Sequence, residues 1–306
     1  MIVPISISGL SKIYRGKKGK RIQALRELSL QIRGGEVFGF LGPNGAGKST
    51  TIKTLVGLIR PTAGEVRLFG VPVGDPRARG KIGYLPENPA FYDFLTAREY
   101  LDFVGKSFGM PPDSIRKESD RVLDMLDLAG ASGRPIRQFS KGMVQRLGIA
   151  QALVHDPDLY IMDEPMSGLD PIGRALVKEI ILDLKGRGKT IFFSTHVTAD
   201  AERVCDRVGV LVGGVLQEER IVGDLLREGI DGYFCRVRGV SNERIKSFGS
   251  VSWFEDAAEI FVTRSHFNAF AKEVVENGGS FDLLEPQRRD MEDYFLSLVR
   301  SSEGIK

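Results

Sequence analysis

Short apolar runs and helix-like segments alternate along the first two thirds of the chain. The runs are rich in β-branched and aromatic residues, as buried parallel strands are. They lie at Val37–Leu41, Lys81–Leu85, Leu159–Met162 and Thr190–Ser194. This alternation predicts an α/β architecture over residues 1 to about 225.

A helical pattern interrupts the alternation between Thr96 and His155. Residues 97–108 and 120–130 carry apolar side chains at helical spacing, and prolines and glycines separate the segments. We therefore predict a helical subdomain over about 96–155, inserted in the α/β core. Its aromatic residues are expected to pack in the core of that subdomain. They are Phe94, Tyr100, Phe103 and Phe108.

The pattern changes again after Leu226, where strands and helices follow in the order β-α-β-β-α-β. The predicted strands cover 233–238, 251–254, 259–263 and 281–285. The predicted helices cover 242–248 and 265–277, and a closing helix covers 291–299. This split βαβ order predicts a small α+β, ferredoxin-like domain. The chain is thus divided into a main domain over 1–225 and an accessory domain over 226–306.

Composition and charge narrow the possible partners. The 306 residues carry 43 basic and 40 acidic side chains, and a formal charge of +3 gives no reason to expect nucleic acid as a partner. Two cysteines, Cys205 and Cys235, stand far apart and predict neither a zinc site nor a structural disulfide. No run reaches the roughly 18–20 charge-free apolar residues that span a bilayer. If the protein works at a membrane, it must dock onto a protein that spans it.

A glycine-rich loop follows the strand at Val37–Leu41 and fits the pattern G-x4-G-K-[ST]. A helix is predicted to leave it over residues 49–59. In such a loop, backbone N–H groups and the helix N-terminus surround phosphate oxygens. Lys48 would reach the β- and γ-phosphates, and Ser49 would ligate Mg²⁺. The loop consists of Gly42, Pro43, Asn44, Gly45, Ala46, Gly47, Lys48, Ser49 and Thr50. Alone, it indicates only a P-loop nucleotidase, a class that includes kinases, GTPases and motors.

Two carboxylates end the apolar strand that begins at Leu159. Asp163 can hold Mg²⁺, directly or through water, and Glu164 can polarise the water that attacks the γ-phosphate. An apolar strand followed by two acids is a weak signal alone, and the phosphate loop makes it a strong one.

The remaining motifs resemble those of ABC ATPases, in family order from residue 14 to residue 196. Residues 139–143, followed by Val144, Gln145 and Arg146, resemble the family signature, which opens a helix, and residues 167–170 match the D-loop. His196 matches the switch histidine, and Tyr14 matches the aromatic residue that stacks on adenine. The signature residues are Ser140, Lys141, Gly142 and Met143, and the D-loop residues are Ser167, Gly168, Leu169 and Asp170.

The chain departs from the family pattern at three positions. Glu87 stands where a glutamine is usual, and its carboxylate can also bind Mg²⁺ or position water. Lys141 replaces a glycine of the signature, and Met143 replaces a glutamine. Lys141 adds positive charge near the phosphate, while Ser140 and Gly142 keep the hydroxyl and the close backbone approach.

The resemblance implies an ATPase that uses ATP and Mg²⁺, with Lys48, Glu164 and His196 as catalytic residues. Magnesium ligands would be Ser49, Glu87 and Asp163. The family acts as a dimer, in which the signature faces ATP on the other copy or on a related subunit. The signature, residues 84–88 and the closing helix resemble export-type subunits.

Such subunits sit peripherally on the cytoplasmic face of the membrane and pair with a separate integral permease. The permease would dock beside residues 87–94 and the helix that starts near Thr96. The alternative is a soluble ABC ATPase in translation or DNA repair. A module that binds ATP without turnover is disfavoured, because Lys48, Asp163, Glu164 and His196 are all present.

Overall fold

The computed structural model describes residues 3–16, 21–228, 230–288 and 291–303. Within these ranges, no helix has the length and apolar character needed to cross a membrane. The chain divides into two compact units, Met1–Ile221 and Val222–Lys306. Each unit contains a hydrophobic core of its own.

The first unit combines strands and helices in alternation. Its strands are β1 (Ile5–Arg15), β2 (Arg21–Ile32), β3 (Val37–Leu41), β4 (Ala63–Leu68), β5 (Val71–Pro72), β6 (Ile82–Leu85), β7 (Leu159–Asp163), β8 (Thr190–Thr195), β9 (Arg207–Val212) and β10 (Val215–Ile221). Its helices are α1 (Lys48–Leu55), α2 (Pro76–Arg79), α3 (Ala97–Ser107), α4 (Pro112–Met125), α5 (Lys141–Leu153), α6 (Pro171–Gly186) and α7 (Thr198–Val204).

The main sheet has the strand order β10-β9-β3-β8-β7-β6. Its strands are parallel except for β10, which pairs antiparallel with β9. Every side chain of β3, β7 and β8 is buried, which explains their continuous apolar sequences. The four predicted strands are confirmed, with β7 and β8 each one residue longer than predicted and β6 one residue shorter.

A second sheet, in the order β2-β1-β4-β5, is antiparallel and was not among the predicted strands. Its inward side chains include Ile5, Ile7, Leu28 and Leu30, which alternate with more exposed neighbours. This period-two pattern is the signal of a half-buried strand. Register shifts between β1 and β2 interrupt the pattern and make it hard to recognise in the sequence.

Helix α1 is shorter than predicted, because it ends at Leu55 rather than at Ile59. Gly57 adopts φ of 73°, a left-handed conformation that ends helices. A Cβ at this position would lie 2.9 Å from the carbonyl oxygen of Val73, so only glycine fits there.

Helices α3, α4 and α5 occupy the segment between β6 and β7, where the helical subdomain was predicted. Helix α3 starts with a capping box: the Thr96 hydroxyl accepts the Glu99 N–H, and the Glu99 carboxylate accepts the Thr96 N–H. The prediction that the aromatic residues pack in the core of this subdomain is wrong in part. Tyr100 is buried, whereas Phe94, Phe103 and Phe108 are exposed.

The second unit has the predicted β-α-β-β-α-β order between its first helix and its closing helix. Its elements are α8 (Val222–Glu228), β11 (Ile230–Arg238), α9 (Asn242–Ile245), β12 (Val251–Phe254), β13 (Ala257–Thr263), α10 (Arg264–Glu276), β14 (Ser280–Arg288) and α11 (Met291–Glu303). The strands form an antiparallel sheet in the order β12-β13-β11-β14, which is the ferredoxin-like arrangement. Cys235, Ile260 and Phe270 are among the residues of its core.

We expect a chain that ends at Ile221 to fold and to bind nucleotide. It keeps β10, which completes the main sheet, and every motif residue predicted to bind nucleotide. A matched chain that ends at Val212 loses β10. It also loses Gly214, which donates to Ala46 O (2.9 Å) in the phosphate loop. Thermal melting and binding of a fluorescent ATP analogue compare the two chains. Insolubility of the longer chain would mean that the second unit completes the first.

Candidate functional site

The glycine-rich loop lies between β3 and α1, at the carboxyl end of the main sheet. Gly47 adopts φ of 111°, and a Cβ there would lie 2.6 Å from Ala24 O. A Cβ on Gly42 would lie 2.5 Å from Leu211 O. The loop therefore needs glycine at both positions, because neighbouring backbone leaves no room for a side chain.

Lys48 is the first residue of α1, and its side chain is buried. Its ammonium group donates to Gly42 O (2.6 Å) and to Pro43 O (3.3 Å), and it lies 3.7 Å from Glu164 Oε1. Burial lowers the pKa of Lys48, and the nearby carboxylates of Glu164 and Asp163 act in the opposite direction. The positive charge is thus held directly over the loop.

A cavity of about 340 Å³ opens above this loop. The side chains of Glu87 and Glu164 lie on its wall, at the ends of two neighbouring strands. The cavity is lined by Ala24, Pro43, Asn44, Gly45, Ala46, Gly47, Lys48, Ser49, Thr50, Glu87 and Glu164. The structure therefore brings the predicted loop and two of the predicted carboxylates together.

Asp163 ends β7 and is almost completely buried. The Ser194 hydroxyl on β8 donates to Asp163 Oδ1 (2.5 Å) and accepts the Glu164 N–H (3.1 Å). Ser194 therefore bridges both acidic residues. Sequence reasoning missed this role, although a serine between Phe193 and Thr195 in a buried strand was a possible signal.

Glu164 follows the strand with φ of 49°, which is rare for a residue other than glycine. His196 Nδ1 lies 3.0 Å from both carboxylate oxygens of Glu164. Because a carboxylate only accepts hydrogen bonds, Nδ1 carries the proton and donates it. The Glu164 carboxylate thus lies between the imidazole of His196 and the ammonium group of Lys48.

Tyr14 lies on β1, at the side of the loop. Its hydroxyl is 3.4 Å from Thr50 Oγ1, and the Lys12 ammonium group lies 5.2 Å from the centre of its ring. The antiparallel sheet, which was not predicted, therefore carries the predicted adenine-stacking residue to the phosphate loop.

The signature and the D-loop contact each other, and neither lines the cavity. Ser140 caps α5 by accepting the Met143 N–H (3.2 Å), and Asp170 caps α6 by accepting the Gly173 N–H (2.8 Å). The side chain of Lys141 packs over Gly168. A Cβ atom added to this glycine would lie 2.8 Å from Lys141 Cε. Leu169 packs beside Gly142, since a Cβ atom added to that glycine would lie 3.7 Å from Leu169 Cδ2.

Gln145, which follows the signature in the sequence, has contacts that sequence reasoning did not foresee. It is buried in α5, and its Nε2 lies 3.1 Å from Pro165 O and 3.3 Å from Glu164 O. Its signals in the sequence are its place just after the signature and an uncharged polar residue on the buried side of a helix.

Comparison with known proteins identifies the family of the chain. A family model described as ABC transporter matches residues 25–167. An uncharacterised ABC transporter ATP-binding protein of Synechocystis is 41% identical over 95% of this chain and 83% of its own length. The bacitracin transport ATP-binding protein of Bacillus licheniformis is 35% identical over 96% of this chain and 97% of its own length.

A solved structure of an ATP-binding cassette shares the fold of the first unit. It is a dimer in a post-hydrolysis state, bound to ADP and phosphate. It superimposes with a TM-score of 0.67 at 27% identity, over 71% of this chain and 98% of that one. The sequence identities and this fold together place the chain in the ABC transporter family, as one of its ATP-binding, ATP-hydrolysing subunits.

Proposed function

We propose that the protein drives an exporter by hydrolysing ATP beneath a separate integral permease, as a peripheral subunit on the cytoplasmic face of the membrane. The observation that carries the proposal is the Glu164 carboxylate, held between Lys48 and His196 on the wall of the phosphate-loop cavity. A relative named for bacitracin transport supports a transport role, and one named for Nod factor export supports the export direction. The alternative in translation or DNA repair has no support among these relatives.

In this proposal, the phosphate loop binds the phosphates of ATP and Tyr14 stacks on the adenine. Lys48 and the N–H groups at the start of α1 contact phosphate oxygens. Glu164 accepts a proton from the attacking water while the water oxygen bonds to the γ-phosphorus and the bond to ADP breaks. His196 keeps the carboxylate turned toward the cavity through its Nδ1–H.

The proposed magnesium ligands are oxygen atoms, as Mg²⁺ requires. They are the Ser49 hydroxyl and the carboxylates of Glu87 and Asp163. Within the described ranges, no group of three or more His, Cys, Asp or Glu side chains could hold a metal ion. This fits a Mg²⁺ ion that arrives with ATP and takes much of its coordination from phosphate and water. When bound, the ion neutralises phosphate charge.

We further propose that two copies, or this chain and a related subunit, enclose ATP between them. Ser140, Lys141, Gly142 and Met143 open α5 outside the cavity, so they are available to the nucleotide of a partner copy. The helix N-terminus is suited to an anion. The D-loop would lie at the same interface, because it contacts the signature.

The permease would dock on an exposed aromatic patch formed by Tyr92, Phe94 and Phe103. Their exposed fractions are 57%, 65% and 50%. The rings contact one another: the centroid of the Tyr92 ring lies 6.0 Å from that of Phe94 and 6.2 Å from that of Phe103. A largely apolar pocket lined by Val56, Leu58, Val104 and Phe108 extends along α3. Exposed apolar surface of this kind is typical of a protein interface.

Two substitutions are expected to separate nucleotide binding from turnover. Glu164→Gln should keep ATP binding and lower turnover by about a hundredfold or more, because the proton acceptor is lost. Lys48→Ala should weaken ATP binding by about tenfold or more, because a charge-assisted phosphate contact is lost. Phosphate release and equilibrium binding measure the two effects. Glu179→Gln and Lys53→Ala change exposed residues of α6 and α1 and serve as matched controls. Wild-type turnover by Glu164→Gln would refute the assignment of the base.

The proposed dimer predicts that Glu164→Gln associates when ATP is added and that Ser140→Arg in the same chain prevents it. The arginine blocks the approach of the signature to the partner's γ-phosphate. Light scattering measures the molar mass with and without ATP. Ser132→Arg places the same side chain on the same helical subdomain and should leave association intact. Association of the Ser140→Arg chain would contradict the proposed interface.

The proposed docking patch predicts cross-linking to a membrane protein in cells. A cysteine at Tyr92 should cross-link efficiently. One at Phe91 should do so less, because its ring packs on Tyr100 at 4.8 Å between centroids. Both native cysteines are buried and give little background. A cysteine at Val275, an equally exposed position in the second unit, is the control. Fractionation with ribosomes or DNA, and never with membranes, would exclude the transporter.

A further inference from the structure

The side-chain amide of Gln145 connects α5, which the signature opens, to the residues that follow β7 in the same chain. Gln145 has an exposed fraction of 4%. Its two neighbours, Glu164 O and Pro165 O, are both hydrogen-bond acceptors. Only the NH₂ end of the amide can face them, since its carbonyl end has no proton to donate. The side chain thus acts as a double donor at the point where β7 ends.

The main chain of Glu164 depends on such contacts. Its N–H donates to Ser194 Oγ, and its carbonyl oxygen accepts the Ser167 N–H (3.0 Å) as well as the Gln145 amide. A left-handed residue other than glycine persists only where its surroundings hold it. Because the Glu164 carboxylate leaves from this main chain, its direction depends on these three partners.

Ser140 caps the start of α5, and Gln145 lies about 7.5 Å further along the helix axis at the usual rise per residue. The start of α5 is proposed to meet ATP on the partner copy, whereas Gln145 contacts the residue that carries the base of its own copy. A short helix moves as one body, so a displacement at its start reaches the carbonyl of Glu164.

We propose that Gln145 is a positioning residue that holds Glu164 of its own chain, and that it links the signature of one ATP site to the base of the other. The inference rests on the roles proposed above for Ser140 and Glu164. A purely structural role would stabilise α5 without acting on turnover. A positioning role and a purely structural role differ in their effect on kcat and in which of the two ATP sites of the dimer loses activity.

The first test compares steady-state kinetics of Gln145→Met with those of the wild type. Methionine keeps the volume and removes both donors. We expect kcat to fall about tenfold while KM for ATP stays within about twofold, because two buried acceptors lose their donor but the phosphate loop is unchanged. Glutamate is closer in shape to glutamine than methionine is. We expect Gln145→Glu to lower kcat at least as much, because its carboxylate oxygens would face the carbonyl oxygens of Glu164 and Pro165.

The matched control is Gln151→Met on the same helix. Gln151 Oε1 accepts a hydrogen bond from the Tyr100 hydroxyl (2.6 Å), away from β7. This variant should keep the wild-type kcat, and thermal melting of each variant monitors stability. A wild-type kcat in Gln145→Met, an equal loss in Gln151→Met, or a change in KM alone would overturn the proposal.

The second test mixes two chains, each inactive alone. One carries Ser140→Arg and keeps its phosphate loop, and the other carries Lys48→Ala and keeps its signature. Their mixed dimer has one complete site, built from the first chain's Glu164 and the second chain's signature. Activity in the mixture supports the proposed dimer, and its absence refutes that dimer while the kinetics of Gln145→Met still decide the role of Gln145.

Gln145→Met is then added to either chain. If Gln145 serves Glu164 of its own chain, the change lowers activity about tenfold in the Ser140→Arg chain and has little effect in the Lys48→Ala chain. The reverse pattern would mean that Gln145 supports the signature instead, and it would overturn the proposal. Equal losses in both chains would indicate a general loss of α5 structure, which also overturns it.

Discussion

The parallel pairing of β3, β8 and β7 is the constraint on which the functional site depends. Leu41 pairs with Thr195, and Asp163 pairs with Ser194, so the three strands end at one level. The residues that follow them therefore meet at the carboxyl edge of the sheet, where open α/β sheets bind ligands. The phosphate loop, Glu164 and His196 all begin from this edge. Complete burial of the three strands opposes a slip in their register, since every side chain would have to be repacked in a close-packed interior.

Electrostatic balance explains why this edge can hold so many charged groups. Lys48, Asp163 and Glu164 are all buried, and an isolated charge in that position is costly. Each has partners: Lys48 donates to loop carbonyls, Asp163 accepts from Ser194, and Glu164 accepts from His196. The ammonium group near the two carboxylates further reduces the cost. Phosphate oxygens carry negative charge as well, so in the proposed binding mode ATP would compete with Glu164 for the same lysine.

In the proposed dimer, the contacts of α5 and the D-loop would connect two ATP sites mechanically. The signature lies against the D-loop through Lys141 and Gly168, while Gln145 reaches the carbonyl of Glu164. The lysine that departs from the family pattern therefore has a packing contact as well as a charge. The second unit has its own sheet and core, and none of the nucleotide-site motifs falls within it.

The sequence by itself determined the features that lie within short stretches of chain. The phosphate loop, the acidic end of β7 and the β-α-β-β-α-β order of the second unit follow from local composition and periodicity. The tertiary structure decided what depends on residues far apart in the chain: Ser194 beside Asp163, Gln145 beneath Glu164, and Tyr14 beside Thr50. It also decided that Phe94 and Phe103 are exposed, because an amphipathic pattern indicates which residues are apolar but not which surfaces find a partner within the chain.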